Sequence, residues 1–245
     1  MQLQSRLSAT GLKETNVVLL GYVFQPVVNI NREIVGFEAL GRCSPFPGVG
    51  IYTGTAEHIK NVSFASQARE FCLSVSKLIA VFGNKYKYSF NVDPSDCTVE
   101  NIELLCEFCE RFKVKKQLIE LELIETSATN LPGVALEEAK LKGFSTALDD
   151  FGVGYSNVGA VLHYPFDTIK FDRLFLTGDK GALSWEMLSA IHDVVKRSGF
   201  KTVIEGVEDK QILPFIDKLK ADYYQGWLFG RGLSVDDLLS NKTKI

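Results

Sequence analysis

Five strand-like segments of this chain end in a carboxylate or carboxamide: Glu38, Asn91, Glu122, Asp149 with Asp150, and Glu205. A sixth such segment carries Lys170. If these strands lie side by side their tips converge, and converged carboxylates repel one another unless cations sit among them. The donor set is oxygen only, with no histidine or cysteine in reach by pattern, which suits Mg²⁺ or Mn²⁺ better than zinc. A pair of hard divalent ions on shared carboxylates activates water against phosphorus. These residues therefore predict a metal-dependent hydrolase of phosphate esters.

Each position also has a plainer reading. Asp149-Asp150 precedes Phe151-Gly152-Val153-Gly154-Tyr155-Ser156, whose glycines permit a tight turn close to a ligand. Adjacent carboxylates are useful where one bridges two cations and the other binds one of them, but Asp before a glycine turn also makes a helix cap or an Asx turn. Glu120 and Glu122 share one strand face by the period of two, and Glu125 follows. Arg42, shortly after Glu38, offers a planar fork to a phosphate oxygen or to a neighbouring carboxylate. Asn91 either ligates a cation or opens the turn at Asp93-Pro94. Lys170, between Ile169 and Phe171, needs a partner or a task; facing carboxylates, it would orient a water and counter charge. Glu205 and Glu208 flank Gly206-Val207, and Gln225 ends the next strand. His58, His163 and His192 fall away from the strand tips and read as surface or core histidines. Cys106 and Cys109 lie three apart in an amphipathic run without a second pair, and read as packing residues.

These side chains need a scaffold that brings distant strands to one place. Val17 to Asn29 and Ile34 to Leu40 are joined by a short turn and read as an antiparallel hairpin. Helix-period and β-rich segments then alternate. Helices are predicted at Ser63–Phe82, Val99–Phe112, Pro132–Lys142, after Ser156, at Gly181–Ser198, Asp209–Leu219 and Val235–Leu239. Strands are predicted at Lys87–Asn91, Leu118–Leu123, Thr146–Asp149, Thr168–Phe171, Thr202–Ile204 and Tyr223–Gly226. Such alternation implies a parallel sheet with helical crossovers, and 245 residues suit closure into one barrel. In a parallel barrel all strand C-termini face one rim, where the acidic residues above would meet. The organisation expected is a polar lead over residues 1–16 and a single barrel domain over 17–245, with Cys43 to Thr55 as a long loop over the rim.

Composition narrows the setting. No stretch approaches the roughly 20 apolar residues of a membrane span, and the N-terminus lacks the apolar core of a secretory signal. The 5 scattered cysteines point to reduced thiols and a cytoplasmic location. A net charge of -3 gives no footprint for duplex nucleic acid.

In order, these motifs resemble the EAL domain family, bacterial phosphodiesterases of cyclic di-GMP. The resemblance is carried by Glu38-Ala39-Leu40 after Phe24-Gln25-Pro26, Asn91 in Asn-x-x-Pro, and Glu122 with Glu125 in Glu-x-x-Glu. It continues through Asp149 to Ser156, Asp167 to Asp172 around Lys170, Glu205-Gly206-Val207-Glu208, and Gln225 to Gly230. Cys43 stands where the family usually has Trp, Ile124 where Thr is common, and Ser44 to Val62 follows the pattern loosely. The resemblance implies a TIM-like (β/α)8 barrel with its first strand antiparallel. It implies one cation on Glu38, Asn91, Glu122 and Asp149 and a second on Asp149, Asp150 and Glu205, with Lys170 assisting the attacking water and linear 5′-pGpG as product. By the same resemblance Gln25 and Arg42 hold the dinucleotide, Glu125 and Glu208 steady the loop after Asp150, and Gln225 supports the floor. Relatives commonly dimerise near that loop, which admits a homodimer and leaves the oligomeric state open.

Overall fold

Strand β1 (Val18–Val28) turns at Asn29 and returns as β2 (Ile34–Ser44), paired antiparallel from Val18↔Ser44 to Val28↔Ile34. The turn is closed by Asn29, whose Oδ1 accepts the backbone N–H groups of Asn31 and Glu33, while Arg32 takes a left-handed φ of 66°. This hairpin belongs to a computed structural model describing residues 18–44, 62–124, 132–153, 158–177 and 182–241.

After the hairpin the chain alternates as its periodicity predicts. In order come α1 (Phe64–Phe82), β3 (Lys87–Val92), α2 (Val99–Arg111), β4 (Ile119–Ile124), α3 (Gly133–Lys142) and β5 (Ser145–Phe151). They are followed by α4 (Val158–His163), β6 (Thr168–Phe171), α5 (Leu174–Thr177), α6 (Ala182–Arg197) and β7 (Lys201–Ile204). The described chain ends with α7 (Leu213–Leu219), β8 (Tyr223–Gln225), β9 (Leu233–Ser234) and α8 (Val235–Ser240). Helix starts carry side-chain caps: Ser63 accepts from Ser66 N, and Thr98 from Asn101 N. Helix α3 stops at Gly143, whose φ of 98° is the left-handed geometry a glycine supplies cheaply.

Strands β2 through β8 pair in sequence order and in parallel, and β1 closes the cylinder by pairing antiparallel with both β8 and β2. The two-residue β9 adds to β1 at Val23 and Phe24. The predicted barrel with its antiparallel first strand is therefore the fold.

Side chains alternate across the wall, and the two sides differ in kind. Outward residues such as Tyr88 and Phe90 of β3, Leu121 and Leu123 of β4 and Ile169 of β6 are buried under the helices. Helix α1 meets them with Phe64, Ala68, Phe71, Cys72, Val75 and Leu78, spaced by three and four. The Phe71 and Phe90 rings stack at 4.6 Å. At about 1.5–3 kcal/mol for each large side chain removed from water, this annular layer is the main source of stability. The barrel interior is polar instead, holding Glu38, Ser89, Glu122, Thr168, Lys170 and Gln225.

Two expectations change. Cys43 and Ser44 belong to β2, so the strand continues where a loop was predicted; the rest of that predicted loop lies outside the described residues. Helix α5 and strand β9 were not anticipated, because four and two residues are too short to show a period. Cys106 and Cys109 are buried in α2, with Cys109 Sγ 3.9 Å from Cys72 Sγ. His192 is buried against Thr202 Oγ1 at 3.0 Å, and His163 is exposed. Among the described residues no helix is long and apolar enough to cross a membrane.

Candidate metal centre at the C-terminal mouth

Parallel pairing sets the heights of the acidic residues. Asn91 is level with Glu122, and Asp149 lies opposite Ile124, one step higher. Glu38 lies inside β2, not at its tip, because β2 runs on to Ser44.

Asp149 and Asp150 require a local exception. Consecutive strand residues normally face opposite sides of a sheet. Between the pairs Leu148↔Ile169 and Phe151↔Phe171, however, β5 advances three residues while β6 advances two. The extra residue forms a bulge, and Asp150 absorbs it with a φ of 55°. Asp150 thereby joins its neighbour at the same mouth: one carboxylate oxygen from each of Asp149, Asp150 and Glu205 lies within 4.8 Å of the others. Glu38, Glu122 and Asp149 form a second such set. Asp149 belongs to both.

Lys170 stands among them, 2% exposed. Its ammonium lies 2.8 Å from Glu122 Oε2, 2.8 Å from Glu205 Oε1, 3.0 Å from Asp149 Oδ1 and 3.7 Å from Glu38 Oε2. Burial works against its charge, but the carboxylates outweigh burial and hold the ammonium well above the ordinary lysine range. Burial likewise acts on Glu38, yet Lys170 and the amides of Asn91 (2.9 Å) and Gln225 (2.6 Å) prevail, leaving its carboxyl below the usual range. The others go the opposite way. Burial lifts Glu122, Asp149 and Glu205, and it lifts Asp150 to about 6 with help from Asp149. One ammonium cannot neutralise this set, so the remaining charge must be met by protons or by cations.

The residues fit cations. Gln225 Oε1 is a buried oxygen that accepts no hydrogen bond among the described residues, while Asp149 Oδ1 has the Lys170 ammonium at 3.0 Å. Buried acceptors without donors are costly unless something positive faces them. Glu38, Asn91, Glu122, Asp149, Asp150 and Glu205 supply only hard oxygen ligands, the set that Mg²⁺ and Mn²⁺ take.

A cavity of about 270 Å³ opens onto this centre, lined in part by Gln25, Glu38, Asp149, Asp150, Glu205, Glu208 and Gln225. Gln25 is opposite Glu38 in the β1–β2 ladder. Glu208 is exposed at the rim, and Gln225 is buried at the floor. Arg42 is not among the described lining residues; its Nη1 donates to the Gly41 carbonyl at 3.0 Å. Glu125 lies outside the described residues. Sequence reasoning passed over Arg173 and Trp227, which also line the cavity. Both were signalled by position, Arg173 three residues after Lys170 and Trp227 two after Gln225. A larger cavity of about 540 Å³ lies at the opposite mouth, lined by Lys87, Glu120, Lys140, Asp167 and Lys201 among others, and holds none of the clustered carboxylates.

Known proteins resemble this chain in sequence and in fold. The chain is 25% identical over 228 residues to the biofilm architecture maintenance protein MbaA of Vibrio cholerae, a match covering 88% of this chain and 28% of that protein. It is 30% identical over 167 residues to the cyclic di-GMP phosphodiesterase RocR of Pseudomonas aeruginosa, covering 65% of this chain and 42% of that one. It thus spans less than half the length of either relative. The crystal structure of an EAL domain protein from Listeria monocytogenes EGD-e superposes with a TM-score of 0.77 at 24% identity, covering 94% of both chains, and so shares the fold. The EAL domain family matches residues 18–232, nearly the whole barrel, and this chain belongs to that family.

Proposed function

We propose that this chain hydrolyses cyclic di-GMP to linear 5′-pGpG, using two divalent cations, Mg²⁺ or Mn²⁺, at the C-terminal mouth. The observation that carries the reading is the membership of Asp149 in both carboxylate sets, since a shared carboxylate is what two neighbouring cations require. The name of RocR, a cyclic di-GMP phosphodiesterase, supports the choice of substrate.

Glu38, Asn91, Glu122 and Asp149 would hold one ion, and Asp149, Asp150 and Glu205 the other. Asn91 spends its N–H on Glu38 Oε1, which leaves its carbonyl oxygen as the ligand atom. Such ions, when bound, acidify an attacking water and offset charge on the attacking and leaving oxygens. Lys170 does two jobs on this reading. Its hydrogen bond to Glu122 and its ion pairs to Glu205 and Asp149 keep the carboxylates in place, and its ammonium orients the water and counters charge building on phosphoryl oxygens. Gln225 locks Glu38 from the floor, so that its carboxylate is already oriented. Gln25 and Arg42 bind the dinucleotide, and Glu125 and Glu208 steady the loop after Asp150. A cytoplasmic setting, in which the buried thiols stay reduced, goes with this reading.

The test is chromatography of products after incubating the purified chain with cyclic di-GMP and Mg²⁺ or Mn²⁺. Linear 5′-pGpG should accumulate, stop on adding chelator and be absent with Glu38→Ala. An inert wild type that is folded and loaded with metal overturns the catalytic reading. Tight calorimetric binding without turnover would make the chain a receptor.

A further inference from the structure

We infer that Trp227 is the base-stacking platform of this mouth, the side chain that makes the site select a purine nucleotide. The inference rests on the phosphodiester reading above and adds the part of the substrate that the carboxylates cannot recognise. A cation-loaded carboxylate cluster attracts phosphate of any kind. A nucleobase is a flat, largely apolar plate and needs an apolar face.

Among the described residues lining the cavity, Trp227 is the only aromatic or aliphatic side chain; its companions are acids, amides, Arg173 and glycines. It is also 52% exposed, beside a site whose other walls are polar. Its backbone is braced, not loose. Val207 N donates to Gln225 O at 3.0 Å, Leu228 N to Val207 O at 3.0 Å, and Phe229 N to Gly226 O at 3.0 Å. Gly226 packs so closely that a Cβ there would meet Val207 O at 2.2 Å. The turn therefore presents Trp227 from a fixed position.

The indole is fixed as well. The Arg231 guanidinium carbon lies 4.0 Å from its ring centroid, a cation–π contact that occupies one face of the ring. With half of the side chain still open to solvent, area remains for a second flat partner. A guanine stacked there would sit beside the mouth that holds its phosphate. The other tryptophan, Trp185, has a different fate: it stacks on Phe215 at 5.2 Å, between α6 and α7.

A purely structural Trp227 would serve only to anchor Arg231, and two substrates separate the cases. Cyclic di-GMP has bases, whereas its abasic analogue, the same ring of two ribose phosphates with hydrogen in place of each guanine, keeps the phosphodiesters and has no flat ring. Trp227→Ala should raise KM for cyclic di-GMP by about tenfold or more while leaving kcat close to wild type. Turnover of the abasic analogue should be unchanged, and Trp227→Phe should restore much of the lost affinity for cyclic di-GMP. The chain has 2 tryptophans, so a Trp185→Phe protein reports on Trp227 alone. Its fluorescence should be quenched by cyclic di-GMP along the same saturation curve that calorimetry gives. Equal losses on both substrates, or calorimetric binding without quenching, overturn the inference and leave the phosphodiesterase reading standing. A wild type that neither binds nor cleaves cyclic di-GMP overturns both.

Discussion

The two mouths of the barrel are built from the same strands and handle charge in opposite ways. At the C-terminal mouth β4 and β6 bring Glu122 and Lys170 together within a set that also holds Glu38, Asp149, Asp150 and Glu205. Two residues earlier on the same strands, Glu120 and Thr168 satisfy each other with one hydrogen bond of 2.8 Å. Beyond them, at the N-terminal mouth, Lys140 pairs with Asp167, and Lys87 reaches Ser145 Oγ at 3.4 Å. The N-terminal mouth has the larger cavity, but its charges are balanced or open to water. Among the described residues, the C-terminal mouth has acidic groups in excess of its one buried cation, Lys170, and a buried oxygen on Gln225 that lacks a donor. Excess buried charge, and not cavity size, distinguishes the mouth equipped for chemistry.

That contrast can be broken most directly through activity. Asp149→Asn and Lys170→Met should each lower kcat for cyclic di-GMP by about 10³-fold, within the range a positioned proton-handling or electrostatic group contributes. The double variant Lys87→Met, Lys201→Met, at the other mouth, should keep wild-type kcat. Equal losses at the two mouths would erase the distinction.

Ion binding gives the next largest effect. Mn²⁺ at a hundredfold excess over its Kd should stabilise the wild type by about 2.7 kcal/mol in urea unfolding. Glu205→Gln should remove most of that gain, and Glu120→Gln should keep it. A smaller effect is expected from Thr168→Val, which strips the half-buried Glu120 carboxylate of a donor. It should cost about 0.5–1.5 kcal/mol of stability with kcat unchanged.

The smallest effect is a slope with pH. Asp150 titrates near 6 in the folded chain, above its unfolded value, so the folded state holds the proton more tightly. Its stabilising contribution is present at low pH and lost as pH rises through about 6. In chelator, the urea midpoint should therefore fall between about pH 4 and 6.5, and Asp150→Asn should flatten that fall. With Mn²⁺ present the slope should reverse, because ligand oxygens must shed protons to bind the ion. His192 opposes the chelator trend: burial lowers its pKa, so its contribution is lost as pH falls. Comparison with the Asp150 variant separates the two.

The scaffold was legible because its signals are local. Alternating apolar runs placed β3 to β8, caps such as Ser63 and Thr98 placed helix starts, and the turn at Asn29 made the first pair antiparallel. The acidic set was legible because carboxylates on apolar strands are anomalous wherever they occur. What escaped depends on three-dimensional register. The Asp149-Asp150 pair was visible, but the bulge that turns both toward one mouth exists only in the pairing of β5 with β6. Trp227 stood in the sequence only as part of the run Gln225 to Gly230, and its exposure, its bracing and its Arg231 partner single it out in three dimensions.

The bulge in β5 also makes the double cluster sensitive to length rather than to composition. An in-frame deletion of one codon at Asp150 would return the strand to strict alternation while leaving every other acidic residue in place. The second set would lose a member and the first would survive, yielding a protein with room for a single ion from the smallest possible indel.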